Sequence, residues 1–255
     1  MSLPAPLDRL PSLPGQPGLQ PQDTLAERID AALPQTQCTR CGYPDCRAYA
    51  QAVAAGAAGI NRCPPGGDEG IHRLAHITGQ PVIALDTSRG IEAPRLLAVI
   101  DETWCIGCTL CIKACPVDCI IGAPKRMHTV MDADCTGCEL CVPACPVDCI
   151  ALLPVTGSRT GWAAWSPAQA NQARLQFQQR QQRSERLQRD DDARLATKTE
   201  AKLADLPSHT RHTEPALIDH KRAMIEAALA RARAAKAGKP AAAPGPTAAP
   251  SDKGP

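Results

Sequence analysis

The sequence predicts an α+β protein with a small helical module, a duplicated β–α–β module and a charged, mostly helical or disordered C-terminal extension. Three observations support this prediction. A cysteine-rich run that begins at Cys105 is repeated thirty residues later, from Cys135. A separate group of four cysteines lies upstream, between Cys38 and Cys63. Beyond Pro154 the chain contains no further cysteine and becomes rich in Gln, Arg, Ala and Asp.

The composition limits the size of any apolar core. The chain of 255 residues has one Phe, two Tyr and three Trp, and much of its apolar content is alanine. Metal ligation can supply folding free energy that such a core lacks. An even count of 14 cysteines also allows a disulfide framework, but the chain starts without an apolar leader and its cysteine spacings are typical of metal ligands. We therefore expect reduced thiols and a cytoplasmic location.

The first module is expected at residues 21–67, after a disordered lead at 1–20. Thr24 and Glu27 form a capping-box pattern before a helix that Pro34 ends. The spacing Cys38-x2-Cys41-x4-Cys46 follows, and a second helix returns the chain to Cys63. From spacing alone, four such thiolates could hold an iron–sulfur cluster or a structural zinc ion. Residues 68–95 are predicted to link this module to the next one and to include a short helix and a short extended piece.

The second module is expected at residues 96–153. Short strands are predicted at 96–101 and 129–132, and two more begin near Ile120 and Ile150, with one short helix between the strands of each copy. Each copy contains C-x2-C-x2-C-x3-C-P, in which three cysteines ligate one [4Fe–4S] cluster and the fourth ligates the other cluster. The expected ligand sets are Cys105, Cys108, Cys111 with Cys145, and Cys135, Cys138, Cys141 with Cys115.

Other residues of the repeat have expected supporting roles. Gly107 and Gly137 let the backbone turn closely around a cluster. Cys119 and Cys149 are not needed as ligands, and we expect them to be small buried apolar side chains. The module carries seven acidic and three basic residues, so its surface should be negative.

The C-terminal region, 154–237, is predicted to be a charged helical extension. Two of the three Trp lie at its start and could fold back on the second module. A long solvated helix or partial disorder is expected at 167–205, and a second helix at 214–237. Residues 238–255 form a Pro/Ala tail that we expect to be disordered.

Several of these segments carry a family resemblance. Residues 96–153 resemble bacterial two-[4Fe–4S] ferredoxins, and residues 24–153 resemble the B subunit of the Rnf/Rsx ion-translocating electron transport complex. The segments that carry it are IDAALPQTQCTRCGYPDC, INRCPPGG, AVIDETWCIGCTLCIKACPVD and MHTVMDADCTGCELC.

This resemblance implies a third [4Fe–4S] cluster on Cys38, Cys41, Cys46 and Cys63. Members of the family usually open with a hydrophobic anchor, which this sequence lacks. We therefore expect a soluble variant that reaches the inner face of the membrane only through partners.

The predicted function is electron transfer by three [4Fe–4S] clusters. No phosphate-binding loop, dinucleotide fingerprint or nucleophile–base pair is evident, and no small-molecule substrate or nucleic acid is expected. The expected partners are a flavoprotein or reductase as donor, an acceptor of unknown identity, and other Rnf-type subunits. Two alternatives stay open: a redox sensor that controls binding to a partner, and a scaffold whose metals serve only folding.

Overall fold

The structure is a computed structural model that describes residues 24–237. The predicted lead at 1–20 and the Pro/Ala tail at 238–255 lie outside the described residues. The chain divides into two compact units, of which the first includes the described residues up to Arg180 and the second begins at Gln181. All of the cysteines belong to the first unit.

The first module contains three helices: α1 (Leu25–Ala31), α2 (Cys46–Ala54) and α3 (Gly67–Thr78). The predicted capping box is confirmed, since Glu27 N donates to Thr24 Oγ1 at 3.3 Å and Thr24 N donates to Glu27 Oε2 at 2.8 Å. The helices enclose a core in which Tyr49 is buried and donates its hydroxyl hydrogen to Gly59 O at 2.9 Å. Its other large buried members are Ile29, Leu33, Ile60 and Leu74.

The connection between the modules differs in part from its prediction. The predicted short helix is present as α3, but the segment expected to be extended, 81–86, forms no strand. Asn61 instead donates to Ala84 O at 2.7 Å and accepts from Asp86 N through its backbone carbonyl at 2.9 Å. These bonds hold the segment on the first module in an irregular conformation.

The second module contains four short strands: β1 (Leu96–Ile100), β2 (Ile120–Ile121), β3 (Thr129–Val130) and β4 (Ile150–Pro154). Strand β1 pairs antiparallel with β4, and β2 pairs antiparallel with β3. Each two-stranded sheet therefore joins the first copy of the repeat to the second. The paired positions are equivalent under the thirty-residue repeat, because Ile100 faces Ile150 while Val130 faces Ile120.

The two copies differ in their expected helix. The first copy forms α4 (Leu110–Ala114), in which Lys113 N donates to Thr109 O at 3.1 Å. In the second copy the equivalent residues form turns, so the prediction of a second short helix was wrong. Pro143 occupies the position of Lys113 and has no N–H to close this helical turn. Val142 N donates to Glu139 O instead, at 3.0 Å.

The predicted long helix is observed as α5 (Pro167–Ala204), and its first turns belong to the first unit. Ala170 and Ala173 are buried, and Phe177 packs against the core of the second module. Gln176 Nε2 donates to Asp134 Oδ1 at 2.6 Å. The start of α5 is therefore a structural part of the cysteine-rich unit rather than a solvated extension.

The segment before α5 also packs on the first unit. A 3₁₀ turn at Gly161–Ala164 buries Trp162, and the Arg73 guanidinium of α3 lies 4.1 Å from the centre of the Trp162 ring. This tryptophan therefore folds back on α3 of the first module, whereas the sequence suggested the second module. The guanidinium of Arg95, the residue just before β1, lies 5.2 Å from the centre of the Trp165 ring.

The second unit contains the end of α5 and a further helix, α6 (Pro215–Ala237). Arg222 donates to Leu203 O at 3.1 Å, and Arg233 pairs with Glu200. The helix predicted at 214–237 is thus confirmed. Across residues 24–237, no helix has the length and apolar character needed to cross a membrane.

Truncation of the chain distinguishes the start of α5, which packs on the second module, from its end, which belongs to the second unit. A chain that ends after Leu206 should keep the visible absorbance of its metal centres, because the contacts of Phe177 with the second module are retained. A chain that ends after Ser166 should lose most of it, since the buried face of α5 is gone. The measurement is anaerobic absorbance and iron content per chain. Equal loss of absorbance and iron in both truncations would contradict the conclusion that only the start of α5 supports the cysteine-rich unit.

Candidate metal centres

The first site comprises Cys38, Cys41, Cys46 and Cys63 and lies in the core of the first module. Cys41 and Cys46 are buried, while Cys38 and Cys63 are half-buried. Burial raises the pKa of Cys41 to about 11 and raises that of Cys46 well above its ordinary value. The charge of Cys38 as a thiolate raises the pKa of the other three thiols further. Cys41 and Cys46 belong to the core of this module and Cys63 packs against that core, so the structure brings these three of the four predicted side chains together.

The second site comprises Cys105, Cys108, Cys111 and Cys145. Burial raises the pKa of Cys111, and the thiolate charges of Cys108 and Cys105 add to this effect. Cys145 comes from the other copy of the repeat. The Sγ atom of Cys149 lies 3.5 Å from the Sγ atom of Cys145. Burial raises the pKa of Cys149 and the charge of Cys105 raises it further, so Cys149 lies between Cys145 and the rest of the site.

The third site comprises Cys135, Cys138, Cys141 and Cys115. All four side chains line one small cavity, as does Cys119. Cys115 comes from the first copy of the repeat and the other three come from the second. Burial raises the pKa of Cys138 to about 11 and that of Cys141 to about 12. Apolar walls complete the cavity, formed by Ala98, Val117 and Ile120.

Glycine is required in each cysteine loop of the second module. Gly107 and Gly137 have φ of +68° and +67°, in the left-handed region. A Cβ on Gly107 would lie 2.5 Å from Arg126 N, and a Cβ on Gly137 would lie 2.3 Å from Leu96 O. Each loop therefore packs directly on a neighbouring backbone segment, which confirms the predicted need for glycine.

Cys119 and Cys149 are buried, as predicted from the sequence. They lie 3.4 and 3.5 Å, Sγ to Sγ, from Cys115 and Cys145, the cysteines that cross between copies. Hydrogen bonding with the Cys119 thiol lowers the pKa of Cys115 and the pKa of Cys135. Besides packing, these two side chains therefore have a hydrogen-bonding position that the sequence did not predict.

His128 lies against the second site. Its Nδ1 atom is 3.3 Å from Cys111 Sγ, and the side chain is only 1% exposed. The other ring nitrogen, Nε2, is buried without a hydrogen-bond partner among the described residues. This imidazole is the one buried histidine in residues 24–237.

The first and third sites adjoin each other. Thr136 Oγ1, between Cys135 and Gly137, donates to Thr36 O at 3.0 Å. Thr36 in turn lies beside the first site, with its Oγ1 atom 3.5 Å from Cys38 Sγ. A salt bridge joins Arg40 of the first module to Glu139 of the second. Two polar contacts thus hold the loops of these sites together.

The donor sets fit polynuclear clusters. All twelve predicted ligands are sulfur, and each site holds four of them, which is the set that a [4Fe–4S] cluster requires. Within residues 24–237, no group of three or more His, Cys, Asp or Glu side chains is placed to hold a metal ion. At the third site the thiols line a cavity.

Sequence reasoning missed three features of these sites: the contact of His128 with Cys111, the hydrogen bond between Thr136 and Thr36, and the salt bridge between the modules. Only the first left a signal in the sequence. When the two copies are aligned, a histidine stands where the other copy has Ala98.

Two family models match the chain. One is described as a "4Fe-4S dicluster domain" and matches residues 98–152. The other is described as a "Putative Fe-S cluster" and matches residues 33–65. The first covers the duplicated module, and the second covers the first site apart from its flanking helices. Together they support [4Fe–4S] clusters as the metal centres of this chain.

Several similar proteins share one name, which describes each as the B subunit of an ion-translocating oxidoreductase complex. The relative from Azoarcus sp. (strain BH72) is 58% identical over 101 residues, which are 40% of this chain and 55% of the relative. The relative from Thiobacillus denitrificans (strain ATCC 25259 / T1) is 60% identical over 99 residues, which are 39% of this chain and 53% of the relative. The relative from Yersinia pestis bv. Antiqua (strain Antiqua) is 50% identical over 103 residues, which are 40% of this chain and 55% of the relative.

The chain spans about half the length of the curated relatives it matches. Over the matched residues, the resemblance to the Rnf-type B subunit that the cysteine spacings predicted is confirmed.

The two additional thiols can be tested by substitution. Cys119→Ala and Cys149→Ala should each leave the iron content unchanged, because four other cysteines already face each site. The matched control is Cys141→Ala, which should lose about four irons, those of one cubane. Iron and sulfide analysis after anaerobic purification decides the matter. Loss of about four irons from Cys119→Ala would show that this residue is itself a ligand.

Proposed function

We propose that this protein is an electron-transfer protein that carries three [4Fe–4S] clusters and relays electrons between a reductase and an acceptor. The proposed ligands are the three cysteine sets of the first, second and third sites. These are Cys38, Cys41, Cys46 and Cys63; Cys105, Cys108, Cys111 and Cys145; and Cys135, Cys138, Cys141 and Cys115.

The observation that carries this proposal is the cavity of the third site. Five cysteines from the two copies of the repeat line it: the four that the spacing predicts as ligands, and Cys119. By the repeat we expect an equivalent arrangement at the second site. At the first site, Cys41 and Cys46 lie in one core and Cys63 packs against it. When bound, each cluster supplies a centre that gains and loses one electron at a time.

The residues around the thiols exclude water and present hydrogen-bond donors. Val117 and Ile120 are buried beside the third site, which lowers the local dielectric. The backbone N–H of Cys119 donates to Cys115 Sγ at 3.3 Å. Apolar walls and N–H groups directed at sulfur are the means by which a protein adjusts a cluster's reduction potential.

The contacts between modules support a defined order of the sites. The hydrogen bond from Thr136 to Thr36 and the salt bridge from Arg40 to Glu139 bring the first site next to the third. The third and second sites share crossing cysteines and one core. The proposed order along the chain of sites is therefore first, third, second, with the first site serving as entry or exit.

The proposed partners follow from the names of the relatives. Since those proteins are named as components of an ion-translocating oxidoreductase complex, we expect other subunits of such a complex among the partners of this chain. A flavoprotein or reductase is the expected electron donor. Association with the inner face of a membrane would then come through these partners.

Metal content tests the number of clusters. We expect about twelve irons and twelve sulfides per chain and no zinc, because three sites of four thiols each fit one cubane. The measurement is iron, sulfide and zinc analysis of anaerobically purified protein, with EPR of the reduced form. About eight irons with one zinc would overturn the assignment of the first site and leave the second module intact.

Electron throughput tests the role of the first site. A Cys38→Ala, Cys41→Ala variant should transfer electrons from a candidate reductase to an acceptor at least about tenfold more slowly, because the adjoining first site is lost. Stopped-flow absorbance measures the rate, and the unaltered protein is the reference. Unchanged throughput would remove the first site from the relay. Reversible reduction that alters only the affinity for a partner would favour a redox sensor.

A further inference from the structure

We propose that His128 acts through Cys111, donating a hydrogen bond from Nδ1 to Cys111 Sγ, and thereby makes the cluster of the second site easier to reduce than the cluster of the third. This inference rests on the proposed function, because it requires one cluster at each of these sites. It concerns the difference in reduction potential between two clusters whose ligand sets are equivalent.

The geometry of the ring selects the donor atom. Nδ1 lies 3.3 Å from Cys111 Sγ, within hydrogen-bond distance for sulfur, and Nε2 is buried without a partner among the described residues. A ligating cysteine is a thiolate and can only accept a hydrogen bond. The tautomer with hydrogen on Nδ1 satisfies both groups, whereas hydrogen on Nε2 would bury an unpaired donor and face two lone pairs toward each other.

The repeat shows that this donor is present at one site only. Under the thirty-residue repeat His128 corresponds to Ala98, and Cys111 corresponds to Cys141. Ala98 is buried and lines the cavity of the third site, where Cys141 is a proposed ligand. Its methyl group offers no hydrogen to sulfur. The two sites therefore differ by one imidazole placed at an equivalent position.

A second difference makes room for the ring. Ala98 pairs with Leu152 across β1 and β4, and the equivalent partner of His128 is Gly122. A Cβ on Gly122 would lie only 2.3 Å from His128 Cδ2. In the first sheet the small residue is Ala98 and the large one is Leu152. In the second sheet the equivalent positions hold the large residue His128 and the small residue Gly122. Because the partner is reduced to glycine where the histidine occurs, the ring has a dedicated space rather than a chance position.

The expected direction follows from charge. Reduction adds negative charge to the cluster and its thiolates, and a hydrogen bond to a thiolate stabilises the more negative state. We expect His128 to shift the electron distribution between the two clusters by about tenfold toward the second site, which corresponds to about 59 mV for a one-electron couple.

The experiment uses the full-length protein with its clusters, titrated anaerobically with a chemical reductant and followed by EPR. His128→Ala copies the third site and should lower the potential of one cluster by this amount while leaving the other unchanged. His128→Leu, which fills more of the space without a donor, should do the same. His128→Asn places an amide donor near the position of Nδ1 and should restore part of the shift. Unchanged potentials in both apolar variants would overturn the inference.

A measurement on the unaltered protein covers the case in which the variants do not assemble. With ¹⁵N-labelled histidine, pulsed EPR should detect nitrogen coupling and an exchangeable proton at one of the two clusters of the second module. Absence of that coupling in a fully loaded protein would overturn the inference alone. Absence of the clusters themselves would instead overturn the proposed function.

Discussion

The burial of thiols that must carry charge is the constraint on which this structure depends. As thiolates, the side chains of the first site would repel one another, and burial raises the pKa of Cys41 to about 11. Aromatic residues are too few to outweigh that cost with a large apolar core. At the proposed sites iron would remove the conflict, because metal ligation replaces the proton and its free energy becomes folding free energy. The small helices and two-stranded sheets are sufficient because they only position sulfur.

The exchange of elements between the two copies follows from the same constraint. Isolated two-stranded sheets are marginal in water, and here neither sheet belongs to a single copy. Strand β1 needs β4, and β2 needs β3. The proposed ligands Cys115 and Cys145 cross in the same sense as the strands. Backbone pairing and metal ligation therefore reinforce each other, and a half-module would lack a strand partner and one thiol for its site.

Local and repeated features of this fold could be predicted from the sequence, and unique contacts could not. The capping box at Thr24, the four strands and the glycine loops depend on nearby residues or on the repeat itself. The lost helix at Pro143 was predictable in principle, but the similarity of the two copies concealed it. The packing of Trp162 on α3 and the hydrogen bond from Thr136 to Thr36 depend on how distant segments meet. No periodicity or spacing encodes such contacts.

A duplicated module produces two sites that are equivalent unless a side chain distinguishes them, and a directional relay needs inequivalent sites. The ligands themselves offer no distinction, since both sets have the same spacing. The asymmetry therefore has to come from residues other than the ligands. Two differences are of this kind: the hydrogen bond of Thr136 toward the first module, and the exchange of Ala98 and Leu152 for His128 and Gly122. The first sets which site lies beside the first module, and in our proposal the second sets which site holds the electron more tightly.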